Sequence, residues 1–227
     1  MLTAVHRRKR LQFAMAHADW TWVDWSIVLW SDELRFTLFQ NDGQVFVRRR
    51  VHEANRNSCV VPTVKFGGVT VWCAMSYRGT GFLIPLTGNL NKNGYLDILR
   101  NSAIPSAHLL GYGDNFIFQN DGAPCHRANV VKQWKSDQNM RCLEWSSQSP
   151  DLNPIENLWR DLGETVRSAR CHNLNELQQT LVNEWSQIPV RRFQRLIRSM
   201  HNWIRTVIQA RRGYTKYGLS MQLTSQY

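Results

Sequence analysis

The sequence lacks what a membrane protein or a secreted protein would need. No uncharged apolar run approaches the ~18 residues of a membrane span. Residues 1–10 carry basic side chains but no apolar core ahead of a small-residue cleavage site, which argues against a secretory signal. Cysteine is scarce: Cys59, Cys73, Cys125, Cys142 and Cys171 are an odd number without a C-x-x-C pair. That pattern argues against a disulfide framework and a cysteine-based zinc site, and it fits a reducing compartment. Internal repeats and low-complexity tracts are missing as well. Acidic residues are missing after Glu184.

What remains is a chain of 227 residues, 43% apolar and 20% charged, close to the globular average. It is long enough for one large domain or two small ones. Lysine and arginine number 28 against 17 acids, a net charge of +11. Arg191, Arg192, Arg195, Arg198, Arg205, Arg211, Arg212 and Lys216 all follow the last acid. Smaller clusters stand at Arg7-Arg8-Lys9-Arg10 and Arg48-Arg49-Arg50. Clustered cations point to a polyanionic partner, most often nucleic acid. The plain alternative is a solvated basic face.

Hydrophobic patterning predicts an α/β order. A helix is expected over 5–19, strands at 27–31, 35–39 with 44–47, and 69–75, and a weak helix over 91–106. A strand at 116–119, a helix over 123–138 opened by Pro124, and a strand at 140–145 follow. Helical stripes then run through Leu158 and Leu162, through Leu177 and Leu181, and through Phe193, Ile197 and Ile204. Residues 48–68 read as a loop excursion. Trp72, Trp145 and Trp159 read as core.

Three acids stand out by position. Asp32 ends the first apolar strand, Asp121 ends the fourth, and Glu156 lies in the first turn of a helix. Functional groups in α/β sheets gather at such ends. If the two strands are neighbours, the three carboxylates meet, and a divalent cation removes their repulsion. An all-oxygen set favours Mg²⁺ or Mn²⁺ over zinc. Each acid has a plainer reading. Asp32 can start a turn, Asp121-Gly122 can be one, and Asn153-Pro154-Ile155-Glu156 is an asparagine variant of the capping box.

The stretches WSDE at 30–33, FQNDGAPCH at 118–126 and SQSPDLNPIENLW at 147–159 resemble the catalytic domain of mariner-superfamily DNA transposases, nearest the branch containing Sleeping Beauty and Minos. Between Asp121 and Glu156 lie 34 residues, the spacing of that branch. The likeness continues through PTVK at 62–65, GTG at 79–81, IP at 188–189 and SM at 199–200.

The resemblance implies a ribonuclease-H-like α/β fold: a mixed five-stranded sheet, flanking helices, a clamp-like loop insertion and a C-terminal helical extension. It implies a basic helical linker remnant at 1–24, the catalytic domain at 25–187 with the insertion at about 40–68, and a basic helix and tail at 188–227. Asp32, Asp121 and Glu156 are implied to bind two Mg²⁺ ions, replaceable by Mn²⁺, for cleavage at transposon ends and strand transfer to TA dinucleotides. Asn120, His126 and Asn157 are the candidates to support them. Arg7, Arg8, Lys9, Arg10, Arg48, Arg49, Arg50, Arg191, Arg192, Arg195 and Arg198 are the candidates to hold double-stranded DNA. A homodimer through the clamp and a place in the nucleus also follow from the likeness.

Family members carry paired helix-turn-helix modules before the catalytic domain. No segment here resembles them, which implies impaired end recognition by this chain and keeps open a catalytically idle DNA-binding or oligomerisation module. The run from Gly67 to Trp72 is about two residues shorter than is usual in the family, and a shortened strand beside Asp32 is the expected consequence.

Overall fold

The computed structural model describes residues 3–38, 67–146 and 149–210. The expected strand at 44–47, the clamp and Arg48-Arg49-Arg50 lie outside them. Helices α1 (Ala4–Ala16) and α2 (Trp22–Ser26) lead into strands β1 (Val28–Thr37), β2 (Gly68–Ser76) and β3 (Gly79–Leu86). Then come α3 (Lys92–Ile98), a π-helical stretch (Leu99–Ala103), α4 (Ile104–Leu109), β4 (Ile117–Gln119) and α5 (Asn129–Asp137). A short 3-10 turn (Pro150–Leu152) precedes α6 (Ile155–Ala169), α7 (Leu174–Gln187) and α8 (Val190–Gln209). Pro105, which can neither donate to residue 101 nor pack against its carbonyl, sits where the π-helical stretch widens the turn.

The sheet order is β3-β2-β1-β4, with β1 parallel to β4 and the other pairs antiparallel. The mixed α/β architecture is as expected, but the sheet has four strands among the described residues. The predicted fifth, at 140–145, contributes a single parallel bridge from Cys142 to Phe118. Two backbone hydrogen bonds hold it there, from Phe118 N to Arg141 O and from Leu143 N to Phe118 O.

β1 joins residues 28–31 and 35–37 of the two predicted segments in one ten-residue strand, and Phe39 lies outside the described residues. Asp32 is therefore mid-strand, not terminal. The partner of Arg35–Thr37 is β2, in register from Trp30↔Met75 to Thr37↔Gly68. β2, which follows the short glycine run, is nine residues long. A Cβ on Gly68 would lie 2.6 Å from the Phe36 carbonyl, which explains glycine at that crossing. β3 escaped the sequence reading because Gly79, Gly81 and Pro85 break its pattern; as an edge strand it tolerates a proline. Pro124 opens no helix: residues 124–127 form turns, and α5 starts at Asn129.

Alternation along the strands separates two cores. Val28, Trp30 and Phe36 with Val71, Cys73 and Met75 face α1, α2, α6, α7 and α8. Leu29, Trp72 and Ala74 face α3, α4 and α5. The result is a helix–sheet–helix sandwich in which consecutive β1 residues serve opposite layers. Trp72 and Trp159 are buried and Trp145 packs against the first core, as expected of all three. Among the described residues, no helix is long and apolar enough to cross a membrane.

Candidate active site

The pairing of β1 with β4 places Trp30 opposite Gln119, so the chain leaves β4 beside Asp32. A side-chain clamp extends this pairing. Ser31 N donates to Gln119 Oε1 at 3.1 Å, and Ser31 Oγ donates to Gln119 O at 2.8 Å. Asp32 shares parity with Trp30 and faces α6. There Trp159 Nε1 donates to Asp32 Oδ2 at 2.9 Å. Glu156 lies one turn earlier on the same helix face. The start of α6 is fixed by Asn153, whose Oδ1 accepts from Ile155 N at 3.3 Å and whose Nδ2 approaches Ser31 O at 3.5 Å. Glu156 N donates to the Asn153 carbonyl at 3.2 Å, a backbone bond of the first turn, and the expected capping box does not form, since the Asn153 side chain accepts from Ile155 N instead.

These two acids carry charge that the protein alone leaves poorly compensated. Burial, then Glu156 and Glu33, push Asp32 well above the usual carboxylate range, and the Trp159 hydrogen bond only partly offsets them. Burial raises Glu156 to about 7.

Asp121 is held differently. It is exposed, and its Oδ1 accepts from Ala123 N at 2.9 Å, the predicted turn. His126 Nδ1 lies 2.6 Å from the same oxygen. Burial acts to raise Asp121, but the His126 and Ala123 hydrogen bonds outweigh it and leave the carboxyl below its ordinary value. Burial would lower His126, yet the hydrogen bond to Asp121 and the neighbouring Glu33 and Asp121 carboxylates lift it to about 9. Its Nε2 is 3.4 Å from Glu33 Oε1. Among the described residues, the group of three whose ligand atoms all lie within 4.8 Å of one another is Glu33, Asp121 and His126. The predicted acids thus fall in two arms: Asp32 with Glu156, and Asp121 with His126 and Glu33.

The candidate supporting residues divide. Asn120 Nδ2 donates to Asp121 O at 2.8 Å, and its Oδ1 accepts from the buried Lys135 Nζ at 2.8 Å. Asn157 is half-buried and accepts from Arg160 at 3.4 Å. Glu33, Tyr95 and Lys135 were not singled out from sequence. Glu33 stood in view beside Asp32, and strand parity was the signal that it faces the other layer.

The basic residues also divide. Arg7, Arg8 and Lys9 are exposed on α1. Arg10 is not available to a phosphate: it is fully buried, and its two terminal nitrogens each lie 2.6 Å from an oxygen of Asp151. That assignment is corrected, since the fork ties α1 to the Pro150–Leu152 turn. Arg191 and Arg195 are exposed and, with the half-buried Arg192, line a groove of about 480 Å³ beside Asp161, Ile188 and Pro189. Arg192 is forked onto Asp161 at 2.7 and 2.8 Å. Arg198 donates to the Tyr77 hydroxyl at 2.8 Å and lies over the Trp22 ring.

Residues 27–178 match the family model described as DDE superfamily endonuclease. The chain belongs to this family. The chain is 35% identical over 219 residues to the Tcb1 transposase of Caenorhabditis briggsae, covering 96% of the chain and 80% of the relative. It is 36% identical over 214 residues to the Tc1 transposase of Caenorhabditis elegans, covering 93% and 78%. Its fold matches the Mos1 transposase catalytic domain with a TM-score of 0.75 at 16% identity, covering 95% of this chain and 98% of that one. Against a Mos1 paired-end complex the score is 0.77 at 15% identity, and the chain spans 65% of that protein. These relatives make it a Tc1/mariner-type DDE transposase catalytic domain, with the ribonuclease-H-like fold that its motifs imply.

Proposed function

We propose that this DDE domain cuts phosphodiester bonds at transposon ends and joins the released strand to TA target dinucleotides, with Asp32, Asp121 and Glu156 holding divalent metal. The supporting observation is the placement of Asp32 and Glu156 on facing elements joined by the Trp159 hydrogen bond, where burial pushes both carboxyls above their ordinary range. Two raised carboxylates, with an indole N–H as the side-chain donor to Asp32, form a hard, oxygen-only set that a Mg²⁺ or Mn²⁺ ion would neutralise. Held by Asp32, Asp121 and Glu156, such metal would supply activation of the attacking oxygen and charge neutralisation on the leaving one. Structures of Mos1 transposase have been solved with Mn and with Mg, which agrees with this choice.

The chain's own residues supply position and surface. Trp159 and Asn153 fix Glu156 against Asp32, and the turn at Ala123 with His126 fixes Asp121. Double-stranded DNA would lie along Arg7, Arg8 and Lys9 of α1 and along the exposed arginines of α8. Mos1 has been captured with its transposon-end DNA. Under this reading residues 40–68 clamp a second copy, the catalytic unit spans 25–187 between a linker at 1–24 and a basic tail at 188–227, and the protein works in the nucleus.

The test is nicking of supercoiled plasmid by the purified chain in Mg²⁺ or Mn²⁺. Nicking is expected to be lost in Asp121→Asn, with fold and nonspecific DNA binding retained. Equal nicking by both proteins would overturn the acid assignment. A folded wild-type chain that binds DNA but never nicks it would favour the idle module instead.

A further inference from the structure

We infer that Glu33 is a positioning residue that fixes the Asp121 carboxylate through the imidazole of His126. The inference rests on the proposed reading of Asp121 as a metal ligand.

The geometry begins with strand parity. Asp32 and Glu33 are consecutive on β1, so Asp32 faces α6 while Glu33 faces the layer of α3 and α5. On that face Glu33 Oε1 lies 3.4 Å from His126 Nε2, and His126 Nδ1 lies 2.6 Å from Asp121 Oδ1. One imidazole therefore spans two carboxylates, one on the central strand and one on the exposed loop after β4. The ring has little freedom to do anything else. His126 is 4% exposed, and it stacks on Tyr95 with centroids 3.8 Å apart and planes 28° apart. Tyr95 is itself fully buried on α3.

Asp121 needs such a brace. Its side chain is about half exposed, and apart from His126 its hydrogen-bond partner is the Ala123 backbone N–H. A carboxylate on a loop with one backbone anchor can turn about its side-chain bonds. An imidazole stacked on Tyr95, hydrogen-bonded to Asp121 through Nδ1 and facing Glu33 as an ion pair at 3.4 Å through Nε2, cannot flip without losing both contacts, so it links the loop to β1. Metal-site carboxylates and imidazoles are commonly oriented by such outer partners, whose loss costs roughly 10- to 100-fold in metal affinity. Glu33 directly contacting the metal is the competing role, and the two roles predict different couplings.

Mn²⁺ affinity of the full chain without DNA, measured by calorimetry, separates them, with thermal midpoints in chelator as a control for folding. Glu33→Gln, an isosteric change, and His126→Ala should each weaken Mn²⁺ binding by roughly tenfold or more. The double variant should bind no more weakly than His126→Ala, because the path through the ring is already cut. His126→Asn, which keeps a donor near the Nδ1 position, should recover part of the affinity while losing its sensitivity to Glu33→Gln. Unchanged binding in Glu33→Gln overturns the inference. So does a further tenfold loss when Glu33→Gln is added to His126→Ala, which would make Glu33 a ligand in its own right. Asp121→Asn separates the two levels. If it leaves Mn²⁺ affinity intact, the ligand reading of Asp121 fails and the inference falls with it. If it abolishes binding while Glu33→Gln has no effect, only the positioning role fails.

Discussion

Trp159 reaches from α6 to Asp32 on β1, its Nε1 donating to Oδ2 at 2.9 Å. This single hydrogen bond fastens the helix that carries Glu156 to the strand that carries Asp32. It also favours the ionised form of a carboxyl that burial and two neighbouring glutamates push the other way.

Trp159→Phe keeps most of the packing and removes the donor. A hydrogen bond to a charged group contributes about 1.5–3 kcal/mol, which corresponds to roughly one pH unit or more in the titration of its acceptor. The acid limb of the nicking rate should therefore move upward by about that much. Activity should fall on the acid side of the profile and recover on its alkaline side. A uniform loss across the pH range would assign the indole to packing alone.

Glu156 gives the metal-free protein a distinctive pH dependence. Its carboxyl is raised from 4.5 to about 7, so the folded state holds the proton more tightly than the unfolded state. The resulting stabilisation is fully present below pH 4.5 and is lost as pH rises through about 7. In chelator, Glu156→Gln should melt higher than the wild type at pH 8 and close to it at pH 4. Adding Mg²⁺ at pH 8 should stabilise the wild type and not the variant. Melting curves that respond to pH equally in both proteins would remove Glu156 as the source.

Much of this arrangement was legible in the sequence, and what was not has identifiable causes. The β1–β4 adjacency and the family were readable because motif spacing and strand logic agree. The length of β1 was hidden by Asp32 and Glu33, which look like a strand end when polarity alone is read. They lie in mid-strand and face opposite layers of the sheet, Asp32 toward α6 and Glu33 toward His126. β3 was hidden by two glycines and a proline that an edge position tolerates. The role of Arg10 was beyond reach, because its partner Asp151 lies 141 residues away and a cation beside three others reads as surface.

The Arg10–Asp151 fork should matter for stability in proportion to its burial. Both side chains are essentially shut off from solvent, at 0% and 1% exposure. Breaking such a pair by removing one partner leaves a buried charge and typically costs about 3–5 kcal/mol. Arg10→Met and Asp151→Leu alone should each lose stability on that scale in urea melts. The double replacement should be far less damaging than the sum of the two. A loss below about 1 kcal/mol in Arg10→Met would place the pair in a wetter setting than its geometry implies.

The same distinction between buried and exposed cations fixes how the chain should meet DNA. Arg191, Arg195, Arg198 and Arg205 repeat at helical spacing and are exposed along the 20 residues of α8. Each arginine that neutralises a phosphate of duplex DNA releases counterion and steepens the salt dependence of log K by about 0.9. Arg191→Ala with Arg195→Ala should therefore flatten the slope by about 1.8, with affinity lost uniformly across unrelated duplexes, because phosphate contacts carry no base readout. Arg10→Met removes a charge of the same sign from the interior and should leave the slope unchanged in protein that remains folded. Anisotropy titrations between 50 and 200 mM salt, a range that displaces such contacts by orders of magnitude, make the comparison. An unaltered slope in the α8 double variant would move the DNA path off this helix. A slope that fell with Arg10→Met would mean that the α1 fork opens to admit a phosphate.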